Sequence, residues 1–385
     1  MLNLNGALAQ QRQQSLYRQR HAITQRGGNK LVINGVRYTN FASNDYLGLA
    51  TDPRIVKAFK EGADRYGVGS GASQLVAGYS VAHQALEERI ADFLKQPRAL
   101  LFSSGYMANL GVITALLSRN DHIFLDRRSH ASLIDAAILS RAKLSRYHTS
   151  DISKLTEKLN AAPTMIASDS VFSMDGDIAP LPALATSSKQ TQSMLLIDDA
   201  HGFGVLGNNG RGCLEHCNID NNDIDIYVGT LGKACGTSGA FICGSEELIE
   251  TLIQKSRSLI YTTAPPPAIA HATLTSIDII EKEGWRRQHI NNLMKHFRAG
   301  AQQLGLQLTD SATAIQAVII SDNTAAVNAS EHLKSRGLYV TAIRPPTVPD
   351  NTARLRITLC NYHNETDVEQ LLTALKELKL DRLDS

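Results

Sequence analysis

The amino-acid sequence predicts an α/β protein: a large domain with a mostly parallel sheet between helices, then a smaller α+β domain. Three observations predict this. Short apolar runs such as "RALLF", "HIFLD" and "MLLID" alternate with helix-like segments from about residue 98 to 230, the pattern of strands with helices on both faces. Beyond about residue 265 the pattern changes to long amphipathic helices and then a smaller set of strands and helices, which reads as a second domain. At 385 residues the chain is long enough for two or three domains. The expected division is 1–45 for an N-terminal helical arm and hairpin, 46–280 for the large domain and 281–385 for the small one.

The elements follow in order. After the polar arm, "KLVINGVRYTNFA" predicts two short strands joined at Asn34-Gly35, a favoured hairpin turn. Thr51 or Asp52, with Pro53, opens a helix through "DPRIVKAFKEGADRYG", and another helix spans roughly 81–95. The regular part then reads strand "RALLFS", helix "GYMANLGVITALL", strand "DHIFLD", helix "ASLIDAAILS", strand "KLSRYH" and helix "ISKLTEKLN". Strand "TMIASDSVF", a short helix near 182–190, and strands "SMLLID" and "DIYVGT" complete it. In the smaller set, "TAIQAVII", a helix near 323–337, "RLRITLC" and a final helix stand out.

Composition excludes several classes of function. Thirty-nine basic residues against 37 acidic ones leave a net charge of +2, so the chain does not look like a nucleic-acid binder. No run of 18 apolar residues occurs, and "MLNLNGALAQQRQQ" lacks the apolar core of a signal peptide. Five cysteines, an odd number, argue for reduced thiols and a cytoplasmic location. Cys213, His216 and Cys217 lie close together without a second ligand pair of matching spacing, so no metal is expected.

Two glycine-rich segments invite a nucleotide reading, and both fail on context. "HGFGVLG" has Gly202, Gly204 and Gly207 in G-x-G-x-x-G spacing after a strand. A dehydrogenase would need a helix to open at the third glycine, whereas "NNGRGCLEHC" reads as a loop. Asp198 and Asp199 would also repel a diphosphate there. "LGKA" resembles the end of a phosphate-binding P-loop, but Tyr227 stands where the first glycine belongs, and no Ser or Thr follows Lys233.

Ligands of open α/β sheets bind beyond the carboxyl ends of the strands. Those ends carry His130, Ser173, Asp198 with His201, and Thr230 with Lys233. Each has an ordinary explanation as a cap or turn residue. Together they match the needs of pyridoxal 5′-phosphate: a lysine amine for a Schiff base and a carboxylate that keeps the ring nitrogen protonated. The cofactor's phosphate needs amides or hydroxyls, and the helix start at Gly105 and Tyr106 in "SSGYMANLG" offers free amides and a positive dipole end. Lys233 is therefore read as the cofactor anchor.

Along nearly its whole length the chain resembles the α-oxoamine synthases, fold-type I pyridoxal-phosphate enzymes that condense an amino acid with an acyl thioester and release carbon dioxide. The resemblance rests on "SNDYLGLA", "GSGASQLVAGYSVAHQALE", "SHASLIDA", "VFSMDGDIAPL", "DDAHGFGVLG", "TLGKACGTSGAF" and "IYTT". It implies a seven-stranded sheet in the large domain. "TAIRPPTVP" followed by "ARLRITL" is most similar to the members that join L-alanine to a pimeloyl thioester. Cys235 departs from the glycine or small residue more common in relatives, which could crowd the site slightly.

The resemblance implies a role for each matching position. Lys233 binds the cofactor covalently and removes the α-proton, Asp198 holds the pyridine nitrogen, His201 and Ser173 bond the phenolic oxygen, and His130 stacks on the ring. Gly105, Tyr106 and Thr230 seat the cofactor, while Tyr261, Thr262 and Thr263 close the phosphate site of a neighbouring subunit in a homodimer. Asn44 and Arg356 hold the amino-acid carboxylate, and Arg18, Arg344 and Thr347 lie near the acyl substrate. Either Arg18 or Arg20 could make the acyl contact, and the carrier could be coenzyme A or an acyl carrier protein. A sister transferase using glycine or serine and a cofactor-binding protein without turnover are the alternatives within this reading.

Overall fold

The computed structural model describes residues 4–159 and 165–378. Asn160 and Thr164, at the ends of two expected elements, lie outside the described residues. The chain divides into two units. One comprises Leu47–Phe172 and Ile178–Arg287, and the other takes the described residues of Met1–Tyr46, Ser173–Asp177 and Gln288–Ser385. The N-terminal segment, set apart in the sequence reading, thus shares a unit with the C-terminal residues, and the division falls after Arg287 rather than after residue 280.

In the larger unit the apolar runs pair into one seven-stranded sheet. Its order is Arg98–Phe102, Ala240–Gly244, Ile226–Thr230, Met194–Asp198, Met165–Asp169, His122–Asp126 and Lys143–Tyr147. Only Ala240–Gly244 runs antiparallel to its neighbours. This is the strand that the pass along the sequence omitted, because "AFICG" is a short reversed segment between glycines. All five of its residues are buried. Gly229 faces it, and a β-carbon there would lie 2.2 Å from the Phe241 ring, so the close crossing requires glycine.

Register places Asp169 beside Asp198 at the carboxyl ends of adjacent parallel strands, with Asp198 opposite Val228 of the next. The helix Gly105–Leu116 covers these strands through Ala108, Val112 and Ile113, packed with Leu100, Leu196 and Val228. The helix Ala131–Ser140 adds Leu133, Ala136 and Ala137 to the same core. Burial of these side chains, each worth roughly 1.5–3 kcal/mol for the larger aliphatics, holds the strand ends in place.

The smaller unit contains the expected hairpin. Lys30–Ile33 pairs with Val36–Asn40, and Asn34 and Gly35 both have positive φ, 51° and 79°, as a two-residue hairpin turn of matching twist requires. Leu338–Tyr339 joins Val36–Asn40 in parallel, which ties the N-terminal hairpin to the C-terminal part of the chain. A second sheet has the order Ile315–Ser321, Ala353–Thr358 and Thr341–Ile343. Phe41, Phe297, Val318, Leu355, Ile357 and Leu371 share this unit's core. Among the described residues, no helix is long and apolar enough to cross a membrane.

Asp52 organises the start of the large unit. It caps the helix Pro53–Tyr66 by accepting from Arg54 N at 3.0 Å, and it pairs with Arg54 and with the buried Arg286, the latter at 3.1 Å. The Arg54 side chain holds the Asp52 carboxyl below its usual range. A depressed carboxylate contributes stability above its unfolded pKa, and that contribution is lost as the pH falls through the folded value. Asp52→Ala should lower stability by about 2 kcal/mol near neutral pH, since it removes the helix cap and one of the two carboxylates paired with Arg286, which keeps Glu283 and Leu47 O. Asp52→Asn should recover part of that loss. Urea unfolding midpoints at neutral and acidic pH check both, with the difference between wild type and Asp52→Ala narrowing in acid.

Candidate active site

The carboxyl ends of the large unit's strands carry the polar side chains. The strand Met194–Asp198 is apolar until its last residue, and Asp198 is only 5% exposed. Such a carboxylate needs donors. Ala200 N donates to Oδ1 at 3.0 Å, and Asn109 Nδ2 donates to Oδ2 at 2.6 Å. Asn109 is wholly buried on the helix Gly105–Leu116, so the helix that covers the sheet also supplies the amide.

Asp199, the next residue, is also buried and has a separate set of partners. It accepts from Ser170 Oγ, from Tyr227 OH at 2.7 Å and from Cys213 N at 2.9 Å. Burial raises its pKa, and these bonds oppose the rise. A β-carbon on Gly202 would lie 2.1 Å from Asp199, and one on Gly212 would lie 1.9 Å away. The glycines of "HGFGVLG" and its continuation therefore include residues packed on a carboxylate, and no helix opens at Gly207.

The next strand, Ile226–Thr230, leads into the turn that carries Lys233. The turn is closed by Gly236 N on Lys233 O at 2.9 Å, with Gly236 at φ 68°. Lys233 Nζ lies 2.8 Å from His201 Nε2. Thr230 Oγ1 bonds Gly239 O at 3.2 Å and lies 3.4 Å from Gly232 N.

His130 opens the helix Ala131–Ser140 as its cap. Its backbone N–H donates to Asp169 Oδ2 at 2.9 Å, and its ring Nδ1 lies 2.8 Å from Ser132 Oγ. Burial and then the Asp198 charge raise the Asp169 pKa. His130 is exposed as a whole residue, and desolvation by its packed neighbours pushes the ring toward its neutral form. Ser104 caps the helix that begins at Gly105, accepting from Met107 N at 3.3 Å, and a β-carbon on Gly105 would meet nothing within 4 Å. Tyr106 OH donates to Asp135. Thr263 bridges to Ser73, Ala264 N bonds Ala72 O at 2.9 Å, and Tyr261 is exposed.

The remaining expected residues belong to the smaller unit. Arg356, 7% exposed, donates to Ser173 O at 2.6 Å, to Thr358 Oγ1 at 2.9 Å and to Asn44 Oδ1 at 3.1 Å. Burial raises the Tyr46 pKa to about 12, against the pull of the Arg356 charge. Arg18 reaches Thr347 Oγ1 at 3.4 Å, and Arg344 donates to Ser15 O. Burial, and then the charge of Arg18, disfavour the charged form of Arg344.

Sequence reasoning missed Asn109, Asp169 and the setting of Asp199. A polar residue inside the apolar run "GYMANLGVITALL" and an acid ending "MIASD" were the available signals. The larger unit's donor set fits a phosphorylated pyridine aldehyde. It offers an amine at Lys233, a buried carboxylate at Asp198, and a helix start at Gly105 with open space where a side chain would otherwise stand.

Comparisons with known proteins agree with that chemistry. The family model for aminotransferase class I and II matches residues 36–375. The chain is 52% identical over 97% of its length to an 8-amino-7-oxononanoate synthase of Pseudomonas syringae pv. syringae, of which it covers 95%. Among solved structures it resembles a serine palmitoyltransferase of S. paucimobilis with bound PLP and myriocin, at TM-score 0.92 and 29% identity, covering 97% of this chain and 96% of that one. It also resembles an 8-amino-7-oxononanoate synthase from Francisella tularensis, at TM-score 0.79 and 33% identity, covering 88% of this chain and 97% of that one. With the matched region running from the hairpin to the last helix, the chain belongs to the aminotransferase class I and II family.

Proposed function

We propose that this chain joins L-alanine to a pimeloyl thioester, releasing carbon dioxide and the thiol carrier and forming 8-amino-7-oxononanoate for biotin synthesis. The observation that carries the proposal is the pairing of Lys233 with His201 at 2.8 Å, at the strand ends that also hold the buried Asp198. Full-length identity to the synthase of Pseudomonas syringae pv. syringae supports the choice of substrates. The carrier is coenzyme A or an acyl carrier protein.

Lys233 would hold pyridoxal 5′-phosphate covalently, Asp198 would face the ring nitrogen, and the amides at Gly105 and Tyr106 with Thr230 would take the phosphate. Thr262 and Thr263 of a second copy would complete the phosphate site in a homodimer. When bound, the cofactor supplies a conjugated, electron-withdrawing ring that takes up the electron pair left when a bond to the α-carbon breaks. Two donors, Asn109 Nδ2 and Ala200 N, hold the Asp198 carboxylate in place. His201 lies beside the Lys233 amine and would serve the phenolic oxygen, a role also assigned to Ser173. The Lys233 amine, when not holding the cofactor, would take the α-proton of alanine.

Arg356 and Asn44 hold the alanine carboxylate. Three protein acceptors already fix the guanidinium of Arg356, so it is organised before substrate arrives. A fixed carboxylate would limit how the bound amino acid can turn. New carbon–carbon bond formation expels the thiol, and loss of carbon dioxide from the resulting β-keto acid leaves a carbon that Lys233 can reprotonate. Arg18, Arg344 and Thr347 are assigned to the acyl substrate.

Purified protein given L-alanine, glycine or L-serine with pimeloyl, acetyl or succinyl thioesters should turn over only the L-alanine and pimeloyl pair efficiently. Preference for glycine with an acetyl thioester would replace this proposal with a sister transferase. Lys233→Ala should abolish turnover and remove the visible absorbance of lysine-bound cofactor. Asp198→Asn should retain cofactor yet exchange the alanine α-hydrogen with D₂O at least about a hundredfold more slowly, as loss of a preorganised charge implies. Proton NMR without thioester measures that rate.

A further inference from the structure

A chain of donors and acceptors joins Asp198 to the ring of His130. Asn109 Nδ2 lies 2.6 Å from Asp198 Oδ2 and 2.9 Å from Ser132 Oγ. Ser132 Oγ lies 2.8 Å from His130 Nδ1, and Ser132 N lies 3.2 Å from the same nitrogen. All four residues belong to the larger unit. Asn109, Ser132 and Asp198 are buried, so the bonds of Asn109 form away from bulk water, while His130 at the end of the chain is exposed.

The direction of each bond follows from what each group can do. The Asp198 carboxylate only accepts, so the Asn109 amide nitrogen must face it. The same nitrogen gives its second hydrogen to Ser132 Oγ, which leaves the Ser132 hydroxyl hydrogen for His130 Nδ1. The Ser132 backbone N–H can only donate, and it too points at Nδ1. Two donors on one ring nitrogen require that nitrogen to carry a lone pair. Its proton therefore sits on Nε2.

We infer that His130 works as a neutral imidazole with its proton fixed on Nε2, and that Asn109 and Ser132 are positioning residues that set this tautomer and link it to Asp198. Other groups around the ring bear on its charge. Desolvation and Lys233 disfavour protonation, while Asp198 and Asp135 favour it, and desolvation is the largest influence. Asp169 accepts the His130 backbone N–H, and the Tyr106 ring stands edge-on with centroids 6.5 Å apart. The consequence for turnover rests on the function proposed above. His130 offers an Nε2–H to an oxygen of the bound reactants and does not act as a base, so proton uptake stays with Lys233.

Nitrogen-15 NMR of the full chain labelled at histidine, with and without pyridoxal phosphate, reads the tautomer. The His130 signals are identified by their absence in His130→Gln. The Nε2–H pattern is expected through about pH 6 to 8, the range in which an unperturbed histidine titrates. An Nδ1–H pattern, or an imidazolium at pH near 7, would overturn the inference. In Ser132→Ala the protonation midpoint of His130 should rise, because one donor that favours the neutral ring is gone. An unchanged or lower midpoint would count against the relay. The same variant should lose about tenfold in kcat/KM, the value of one hydrogen bond of about 1.4 kcal/mol. In a His130→Ala background it should change kcat/KM by less than about twofold. Additive losses would make Ser132 merely structural and sink the positioning role. Absence of turnover in the wild type would refute the proposed function alone, and the NMR arms would still decide the tautomer.

Discussion

A buried carboxylate at the end of a strand is the constraint on which this site depends. Asp198 is 5% exposed, and a charge so placed is costly unless donors surround it. Its main side-chain donor is Asn109, one helical turn beyond Gly105 on the same helix. Four residues of α-helix advance about 6 Å. One helix thus presents free amides at its start and an amide side chain one turn on, so the docking that buries Val112 and Ile113 also positions both groups.

Alternation along an extended backbone sends the consecutive acids Asp198 and Asp199 to different partners. Asp199 is enclosed by Ser170, Tyr227 and Cys213 N, with Gly202 and Gly212 pressed against it. Asp198 keeps partners on the Asn109 side. The glycine spacing that suggests a nucleotide loop therefore has a packing cause. Glycine is required where a β-carbon would sit about 2 Å from a carboxylate, whatever ligand the protein binds.

Much of the fold was legible because its signals are local. Asn34-Gly35 demands positive φ at both positions, and Asp52-Pro53 announces a helix start. Near-continuous apolar runs such as "HIFLD" mark strands covered on both faces, and that strand is buried throughout. "AFICG" escaped notice because nothing local distinguishes an antiparallel insertion of five residues from a loop with apolar content. Asn109 and Asp169 escaped for a different reason: each looks unremarkable until register and helix docking bring its partner within reach.

The sequence by itself determined the order and type of most elements and the chemistry at their ends, since apolar periodicity, caps and turn residues act over a few positions. It placed an acid and a histidine at the end of one strand, a lysine after the next, and a glycine at a helix start. Tertiary structure alone decided that Lys233 meets His201, that Asn109 answers Asp198, and that the N-terminal hairpin joins the strand Leu338–Tyr339. The physical reason is that burial and hydrogen-bond geometry depend on which surfaces pack together, and residues as far apart as Thr39 and Leu338 carry no local sign of that pairing.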